Sequence, residues 1–525
     1  MESLAKKQSV SEYDQVPYES YPYPISQIDN LYTIGKLFGL GPVSPKQCKV
    51  LEIGCASGGN IIPMALQFPK SEFVGIDLSK VQIEKGEAEV KSLSINNLSL
   101  KTLSIMDINK DFGEFDYIIA HGIISWVPPE VQDKIFRICS DNLSQKGIAY
   151  ISYNTLPGWN MIKSIREMML YHTNKFTNVA DKVKQAKLLL EFIKDNNEGV
   201  NSSYTKVIED ELVLLKDQPD SYIAHDHLET NNYQFYLSEF VEKAGQVGLQ
   251  YLGDATVPTM FTGNFPTKVQ EVLKQVAHDS VRSEQYVDFL KNRRFRSTLL
   301  CKNDNILNRN IKADLVKEFT ILSNVSEDKN SKDVEIENNG EVSFSAPNGV
   351  NFKTKNNIAI TALRIIEENK FGYLSVTDLL EEVSKRIGKN FSEESIERSV
   401  CDLVLRLFLS GGMNLSSFSK KIAKKISTKP KVSRLAIRQA QTSNWITNEK
   451  SDKVPADLFS CFVIRYLDGS NNIDDLTAKI RKHVEAKEII LWQNEQPLQV
   501  VDDNFLKQMI KNVLDSLSKN FLLIG

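Results

Sequence analysis

The sequence of 525 residues lacks the features of a membrane protein and of a disulfide-bonded secreted protein. It has no apolar run near the ~20 residues that a membrane helix requires, and no apolar core follows Lys6 and Lys7, which predicts that there is no signal peptide. Its six cysteines form no C-x-x-C pair and no spacing typical of a metal site. We therefore expect reduced thiols, a cytoplasmic location and no metal. The net charge is only -3, which predicts no general affinity for nucleic acid.

The most informative stretch is VLEIGCASGGN at residues 50–60, which predicts a strand from Lys49 to Ile53, a glycine-rich turn and a helix. This order is the first unit of a doubly wound α/β sheet, in which ligands bind at the carboxyl ends of the strands. Ala56 stands where a dinucleotide-binding turn needs its second glycine, and Glu52 would repel phosphate. S-adenosylmethionine, with an ammonium, a sulfonium and no phosphate, suits these residues. The alternative is a turn that only packs the helix on the strand.

Three further predicted strands end in polar residues or glycine at the same edge of the sheet. They are Glu72 to Asp77, Leu100 to Ile105 followed by Met106 and Asp107, and Phe115 to Ala120 followed by His121 and Gly122. A carboxylate about twenty residues after such a turn accepts hydrogen bonds from ribose hydroxyls, which is the role expected for Asp77. Met106 and Asp107 are expected beside the adenine edge. The agreement of these independent signals favours a cofactor site over simple packing.

These motifs (Glu52-x-Gly54-x-x-x-Gly58, Gly75-Ile76-Asp77 and Met106-Asp107) resemble the cofactor motifs of class I S-adenosylmethionine-dependent methyltransferases. Three other segments resemble bacterial methyltransferases with a regulatory domain: YDQVPY at 13–18, SYNTLPGW at 152–159 and HDHLE at 225–229. Within that group the chain is similar to the rickettsial protein-lysine methyltransferases that act on outer membrane protein B. The likeness covers most of the chain and is sharpest before about Lys302.

The resemblance implies an α/β fold, a doubly wound, seven-stranded Rossmann-like core with a helical insertion and mainly α, winged-helix-like domains after it. It also implies a set of cofactor-binding residues, which lie in the N-terminal arm, in the glycine-rich turn and at the strand ends. These are Tyr18, Ser20, Glu52, Gly54, Cys55, Gly58, Asp77, Leu78, Met106, Asp107, His121 and Gly122. For the tyrosine- and proline-rich arm at 10–30, a strap that only packs on the core is the alternative.

Four residues are candidates for the acceptor site: Trp126, Asn154, Tyr222 and His225. Trp126 is either a wall of the acceptor channel or a core residue, and Asn154 begins a tight loop at a strand end. Methyl transfer to an amine needs alignment and loss of a proton, with which Tyr222 or His225 is expected to help. Plain structural hydrogen bonding is the alternative for both. His225 and His227 have no third ligand at a recognisable spacing, so a metal site is disfavoured.

Five segments are predicted. Residues 1–160 form the first part of the core, 161–228 a helical insertion suited to dimerisation, and 229–302 the last core strands. Residues 303–418 form a winged-helix-like middle domain and 419–525 a C-terminal helical domain. The strand Arg296–Lys302 is expected at the antiparallel edge of the sheet, and residues 325–342 form a linker or hairpin. For the basic run from Lys420 to Arg438 a solvated face, an acidic protein partner and nucleic acid stay open.

The sequence therefore predicts an enzyme that methylates protein lysines, with an outer membrane protein met before export as substrate. We expect a homodimer with neither nucleic acid nor membrane as partner. A small-molecule or RNA methyltransferase with accessory domains is the alternative enzyme. A binding module that keeps the cofactor pocket without catalysis is disfavoured, because every cofactor motif is intact.

Overall fold

The computed structural model describes residues 19–197, 203–216, 218–328, 340–346, 348–388, 391–423, 425–493, 496–498 and 501–525. The chain divides into two compact units, one with residues up to 21 and 40–307, the other with 22–39 and 308–525. Within the described ranges no helix has both the length and the apolar character needed to span a membrane.

The first unit is built on a seven-stranded sheet of order β3-β2-β1-β4-β5-β7-β6. Its strands are β1 Lys49–Ile53, β2 Glu72–Asp77, β3 Leu98–Thr102, β4 Phe115–Ala120, β5 Leu143–Asn154, β6 Leu249–Asp254 and β7 Phe295–Lys302. The first five strands pair in parallel, and β7 is antiparallel to both β5 and β6. Four of the five residues of β1 and the last four of β4 are buried, as expected for strands covered on both faces.

Helices connect and cover these strands. They are Ile61–Gln67, Lys80–Ser92, Pro129–Asp141, Leu237–Gln246, Thr267–Val276 and Ser280–Lys291. Three longer helices, Trp159–Thr173, Val179–Asp195 and Ser203–Lys216, form the predicted insertion and are helical as expected. The insertion has an apolar cluster of its own, which includes Ile165, Met169, Leu190 and Ile208.

Two strand predictions need correction. The third strand is Leu98–Thr102, and the expected strand end at 105–107 is instead a single 3-10 turn, Ile105–Asp107. The strand Phe295–Lys302 is antiparallel as predicted, but the prediction that it lies at the edge is wrong, because β6 pairs with its outer side. Six of its eight residues are buried, which agrees with an interior position.

The second unit contains the helix Ile28–Leu37. The middle part of this unit contains a three-stranded sheet of order β12-β8-β13 and three helices. These helices are Asn357–Glu368, Val376–Ile387 and Glu393–Leu409. Its strands are β8 Thr320–Leu322, β12 Tyr373–Ser375 and β13 Asn414–Ser416. A second small sheet joins β9 Ser326–Glu327, β10 Val342–Ser345 and β11 Asn351–Thr354, so strand residues lie at both ends of the predicted linker.

The C-terminal part of this unit consists mainly of helices with two short hairpins. The helices are Arg434–Thr442, Leu458–Ile464, Ile473–Glu485 and Asp503–Lys519. The hairpins pair β14 Trp445–Thr447 with β15 Lys453–Pro455 and β16 Trp492–Gln493 with β17 Gln496–Pro497. The helices share one apolar core, which includes Ile446, Ile464, Ile480 and Ile510.

Candidate active site

The turn after β1 has the backbone shape that a close-fitting ligand needs. Gly54, Ala56 and Gly58 all have a positive φ, of 69°, 46° and 82°. Ala56 is the only one of the three with a Cβ, and this left-handed geometry costs such a residue roughly 1–2 kcal/mol. At Gly59 a Cβ would collide with the backbone carbonyl of Ser20, so the N-terminal arm lies directly on the turn.

Ser20 fastens the described part of the arm to this turn. Its Oγ accepts a hydrogen bond from the backbone N–H of Gly59 at 2.7 Å and lies 3.5 Å from the carbonyl oxygen of Cys55. The predicted position of Ser20 over the cofactor turn is therefore compatible with the geometry. Tyr18 and the rest of the 13–18 motif lie outside the described residues.

Glu52 supplies a buried carboxyl group beneath the turn. Asn60 Nδ2 donates to its Oε1 at 2.7 Å, whereas Oε2 has no partner within the described part of the chain. Burial raises the pKa of Glu52 from 4.5 to about 8, Asn60 opposes the shift, and the nearby Asp77 adds to it. A carboxyl with one unpartnered buried oxygen is suited to a ligand that carries positive charge.

Asp77 at the end of β2 receives two backbone hydrogen bonds. Ala56 N–H donates to Oδ2 at 2.8 Å and Ser79 N–H donates to Oδ1 at 2.9 Å. Each carboxylate oxygen can accept a second hydrogen bond, so the group can hold the turn and still accept ribose hydroxyls. Asp77 thus links the glycine-rich turn to the second strand end.

Two apolar side chains lie exposed near these strand ends. Leu78 is 56% exposed and Met106 is 45% exposed, and the neighbouring Asp107 is also exposed. Large apolar groups left open next to a polar cleft are suited to contact a flat aromatic ligand. Their placement agrees with the expected adenine side of the site.

At the end of β4, His121 belongs to a polar network. Its Nδ1 lies 2.8 Å from the hydroxyl of Tyr150 and 3.3 Å from Ser152 Oγ, which also accepts the N–H of Gly122 at 2.7 Å. Burial lowers the pKa of His121 to about 3, so its imidazole is neutral at physiological pH. Gly122 has a φ of 66°, which favours glycine there.

Trp126 and the loop after β5 form an aromatic and amide surface. The rings of Trp126 and Trp159 meet edge to face at 6.2 Å, and Trp159 Nε1 donates to Asn232 Oδ1 at 2.8 Å. The guanidinium of Arg166 lies over the Trp126 ring at 5.4 Å from its centroid. The sequence analysis did not single out Arg166, although it falls on the buried helical stripe with Ile162, Ile165 and Met169.

Asn154, the last residue of β5, is 3% exposed. Its backbone N–H donates to Ser125 Oγ at 2.9 Å, which brings it next to the turn that carries Trp126. Its side-chain Nδ2 is buried and unpartnered among the described residues. A buried amide without a partner is costly in a folded protein, so this group is a strong candidate for ligand contact.

Tyr222 and His225 lie on one short helical segment, which continues from Asp220–Tyr222 into a π-helical turn, Ile223–His227. His225 is buried and Tyr222 is half-buried, with its ring 5.7 Å from that of His227. His227 Nε2 lies 2.8 Å from Glu211 Oε1 in a buried pair. Such π-turns are rare and often lie at functional sites.

Arg166 connects this π-turn to the tryptophan surface, since its guanidinium donates to the backbone carbonyls of Asp226 and Glu229 while covering Trp126. Trp126 lies in the turn that binds the backbone of Asn154 through Ser125. Arg166 links Trp126 to the backbone of the π-turn that carries His225, and Tyr222 directly precedes this turn. Among the described residues, no group of three or more His, Cys, Asp or Glu side chains could hold a metal ion.

Comparisons with known proteins agree with this geometry. A "Methyltransferase domain" model matches residues 44–209, a "Predicted methyltransferase regulatory domain" model matches 219–302, and a "PKMT, C-terminal winged helix domain" model matches 428–522. The last match lies in the segment predicted as a C-terminal helical domain.

Two relatives come from Rickettsia prowazekii, and one solved structure that covers nearly the whole chain comes from Rickettsia typhi. The uncharacterised protein RP789 of Rickettsia prowazekii is 42% identical over 98% of this chain and 93% of its own length. RP028 of the same organism is 45% identical over 46% of this chain and 96% of its own length. The structure of PKMT2 from Rickettsia typhi in complex with AdoHcy has a TM-score of 0.86 and 35% identity, and covers 97% of this chain and 100% of that one.

The strand order, the glycine-rich turn and the matching domain model define a Rossmann-like methyltransferase. Its regulatory and winged-helix domains narrow the class further. The chain belongs to the rickettsial PKMT family of methyltransferases.

Proposed function

We propose that this enzyme transfers methyl groups from S-adenosylmethionine to lysine side chains of a protein, with a bacterial outer membrane protein as its substrate. The observation that carries the proposal is the likeness of nearly the whole chain to PKMT2, which was solved with AdoHcy, the product that S-adenosylmethionine leaves after methyl transfer. The lysine acceptor rests on the likeness of the chain to PKMT2 and on the match to the PKMT winged-helix model. The motifs at 152–159 and 225–229 resemble bacterial methyltransferases with a regulatory domain.

The residues at the strand ends fit the cofactor. The unpartnered oxygen of Glu52 suits the ammonium of its methionine part, directly or through water, and the ribose hydroxyls have an acceptor in Asp77. Leu78 and Met106 offer apolar surface to the adenine, and the positive φ of Gly58 is a conformation that glycine adopts without strain. The cofactor supplies an electrophilic methyl group, and the protein positions the acceptor.

The acceptor side combines an aromatic pair with a buried amide. The tryptophan pair suits the alkyl stem of a lysine. Asn154 is proposed to orient the lysine nitrogen through the carbonyl oxygen of its side-chain amide, because its unpartnered Nδ2 is itself a donor. Tyr222 and His225 are proposed to orient the same nitrogen. Alignment is the main requirement of this reaction, because a misplacement near 1 Å can lower the rate about a hundredfold.

We further propose that the enzyme meets its substrate in the cytoplasm before export and works as a homodimer, with neither nucleic acid nor membrane as partner. All six cysteines are buried thiols, which suits a reducing compartment. Tyr171, Phe192 and Val213 are 82%, 63% and 73% exposed on the insertion helices, which leaves apolar surface for a second copy.

The test is incubation of the purified enzyme with methyl-labelled cofactor and recombinant outer membrane protein B fragments, followed by mass spectrometry of peptides. Label on lysine supports the proposal, and the same fragments with lysine replaced by arginine are the control. Ribosomal RNA and a pool of small metabolites are offered in parallel. Label in either of these, with none on protein, would contradict the lysine assignment.

A further inference from the structure

The carboxyl group of Asp226 stands out in the π-turn because, among the described residues, its side chain forms no hydrogen bond or ion pair, although the guanidinium of Arg166 interacts with it electrostatically. Of the three titratable groups at 225–227, His227 is paired with Glu211, and His225 is buried. Asp226 is half-buried, and within the described chain no donor forms a hydrogen bond or ion pair with its side chain; only its backbone carbonyl receives one, from Arg166. Partly buried carboxylates in folded proteins are usually paired, so this group is available to a ligand.

The position of Asp226 places it beside the acceptor side of the site. Arg166 donates to its backbone carbonyl, and the same guanidinium covers Trp126. Trp126 follows β4 in the turn whose Ser125 binds the backbone of Asn154 at the end of β5. Arg166 therefore bridges the π-turn and the turn after β4, which lies at the carboxyl edge of the sheet. Under the proposed function the methyl donor is bound at this edge.

We propose that Asp226 binds the substrate lysine and accepts the proton that its ammonium must lose before methylation. This inference rests on the proposed function, because it names the base for that reaction. The proton moves from the ε-ammonium to the carboxylate. The freed lone pair of the amine then forms the new carbon–nitrogen bond. At the same time the bond between the methyl carbon and sulfur breaks, and sulfur keeps the two electrons of that broken bond. The proton on Asp226 is released to solvent afterwards.

The surroundings of Asp226 suit a base for lysine. Burial raises its pKa from 3.8 to about 7, and the nearby Arg166 guanidinium opposes this shift. Lysine has a pKa near 10.4, so this rise makes proton transfer from lysine about a thousandfold more favourable than to an ordinary aspartate. The other charged or titratable groups around the turn are Tyr222, His225, His227 with Glu211, Glu229, and Arg294, whose guanidinium lies 3.6 Å from Glu211.

The central variant is Asp226→Asn, which keeps the size of the side chain and removes the carboxylate. Its matched control is Asp220→Asn, on the same helical segment, where the carboxylate is exposed and paired with Lys187 at 2.9 Å. Thermal melting and calorimetric titration with AdoHcy establish that each full-length variant folds and binds the cofactor product. Asp226→Glu is the second variant, since it restores the acid at a shifted position.

The substrate is a synthetic peptide around a lysine that the wild-type enzyme methylates, together with the same peptide carrying norleucine in place of that lysine. With AdoHcy bound, wild type should bind the lysine peptide at least tenfold more tightly than the norleucine peptide, because only lysine carries the ammonium. Asp226→Asn should lose this difference. In turnover at pH 7.5, Asp226→Asn should be slower by about a hundredfold or more, as is usual for loss of a general base.

The pH profile separates a base from a structural residue. Wild-type turnover should fall below pH 7 as Asp226 becomes protonated, and Asp226→Asn should lose this limb. The deficit of that variant should shrink toward pH 10, where solution lysine loses its own proton. Asp226→Glu should recover part of the rate and the limb, and Asp220→Asn should match wild type.

Two results would overturn the inference and can be told apart. If wild type methylates lysine and Asp226→Asn keeps its rate, its pH profile and its preference for the lysine peptide, Asp226 is not the base and the proposed function stands. If wild type methylates no lysine in any peptide, the proposed function and this inference are both wrong.

Discussion

The carboxyl group of Glu52 gives the most quantitative prediction about cofactor binding. It is buried, receives one hydrogen bond from Asn60, and has one oxygen without a partner among the described residues. Its pKa of about 8 instead of 4.5 means that burial disfavours the ionised form by about 5 kcal/mol. A ligand ammonium near this carboxyl recovers part of that free energy. Binding of S-adenosylmethionine should therefore be coupled to loss of a proton from Glu52.

The size of the coupling follows from the pKa. At pH 6 and pH 7 the ionised fractions of a group with a pKa near 8 are about 1% and 10%. If the ionised form binds the cofactor, affinity should rise about tenfold between these two pH values, while the ligand amine stays protonated. Above about pH 8 the rise should stop, because Glu52 is then mostly ionised and the amine begins to lose its proton. In Glu52→Gln the affinity should be weaker at pH 7.5 and independent of pH from 6 to 7.

Isothermal titration calorimetry in two buffers with different ionisation enthalpies measures both the affinity for the cofactor and the number of protons released on binding. Wild type should release about one proton per cofactor bound at pH 6.5, and Glu52→Gln should release none. The ligand-free protein offers a second readout. Because the folded pKa lies above the unfolded value, the stability contribution of Glu52 should fall as pH rises from about 4.5 to 8, and Glu52→Gln should lose this trend. Flat wild-type affinity without proton release would refute the assignment.

Three further predictions concern other parts of the molecule. Asp77→Ala should weaken cofactor binding by about 1–3 kcal/mol in calorimetry; melting without ligand is the control, since Asp77 also holds the turn, and unchanged affinity would contradict its ribose role. Trp126→Ala and Tyr222→Phe should each lower turnover on protein and leave cofactor affinity nearly unchanged; wild-type rates in both would place the acceptor site elsewhere. Phe192→Asp should convert a dimer to a monomer in light scattering, because this 63% exposed ring lies on the insertion; a wild-type monomer at micromolar concentration would argue against the dimer.

The central strands of the seven-stranded sheet were predictable from the sequence because most of their side chains are apolar and lie between two covered faces. The strands β1, β2 and β4 match the expected bounds, as the residues of a central parallel strand must be buried whatever the rest of the chain does. The place of β7 was not predictable in the same way. Whether β7 lies inside the sheet or at its edge depends on whether β6 pairs with it. That pairing forms between segments distant in sequence and leaves no local pattern in the residues of β7. The buried run Arg296 to Cys301 nevertheless indicates an interior strand.

The cofactor side was more predictable than the acceptor side for a physical reason. Glu52 and Asp77 lie at strand ends, so a local pattern of strand, turn and acid is enough to place them. Asn60, which polarises Glu52, and Asp226 carry no such pattern. Their roles depend on contacts with residues 8 and 60 positions away, made only after the chain folds. Motif spacing therefore predicts candidate cofactor-binding residues such as Glu52 and Asp77, whereas the contacts around them are visible only in the folded structure.

Arg166, on the first helix of the insertion, gives the insertion a role beyond covering the sheet or the proposed dimer contact. Arg166 is buried, and its guanidinium packs on Trp126 and binds the carbonyls of Asp226 and Glu229. One side chain therefore joins the insertion, the turn after β4 and the π-turn. Burial lowers its pKa to about 10, yet it stays charged at physiological pH, opposed in part by the acids beside it. A cation fixed on one face of Trp126 also disfavours a second cation on that face. Under the proposed function the substrate ammonium needs a hydrogen-bond acceptor, which the carboxylate of Asp226 offers and the unpartnered Nδ2 of Asn154, itself a donor, does not.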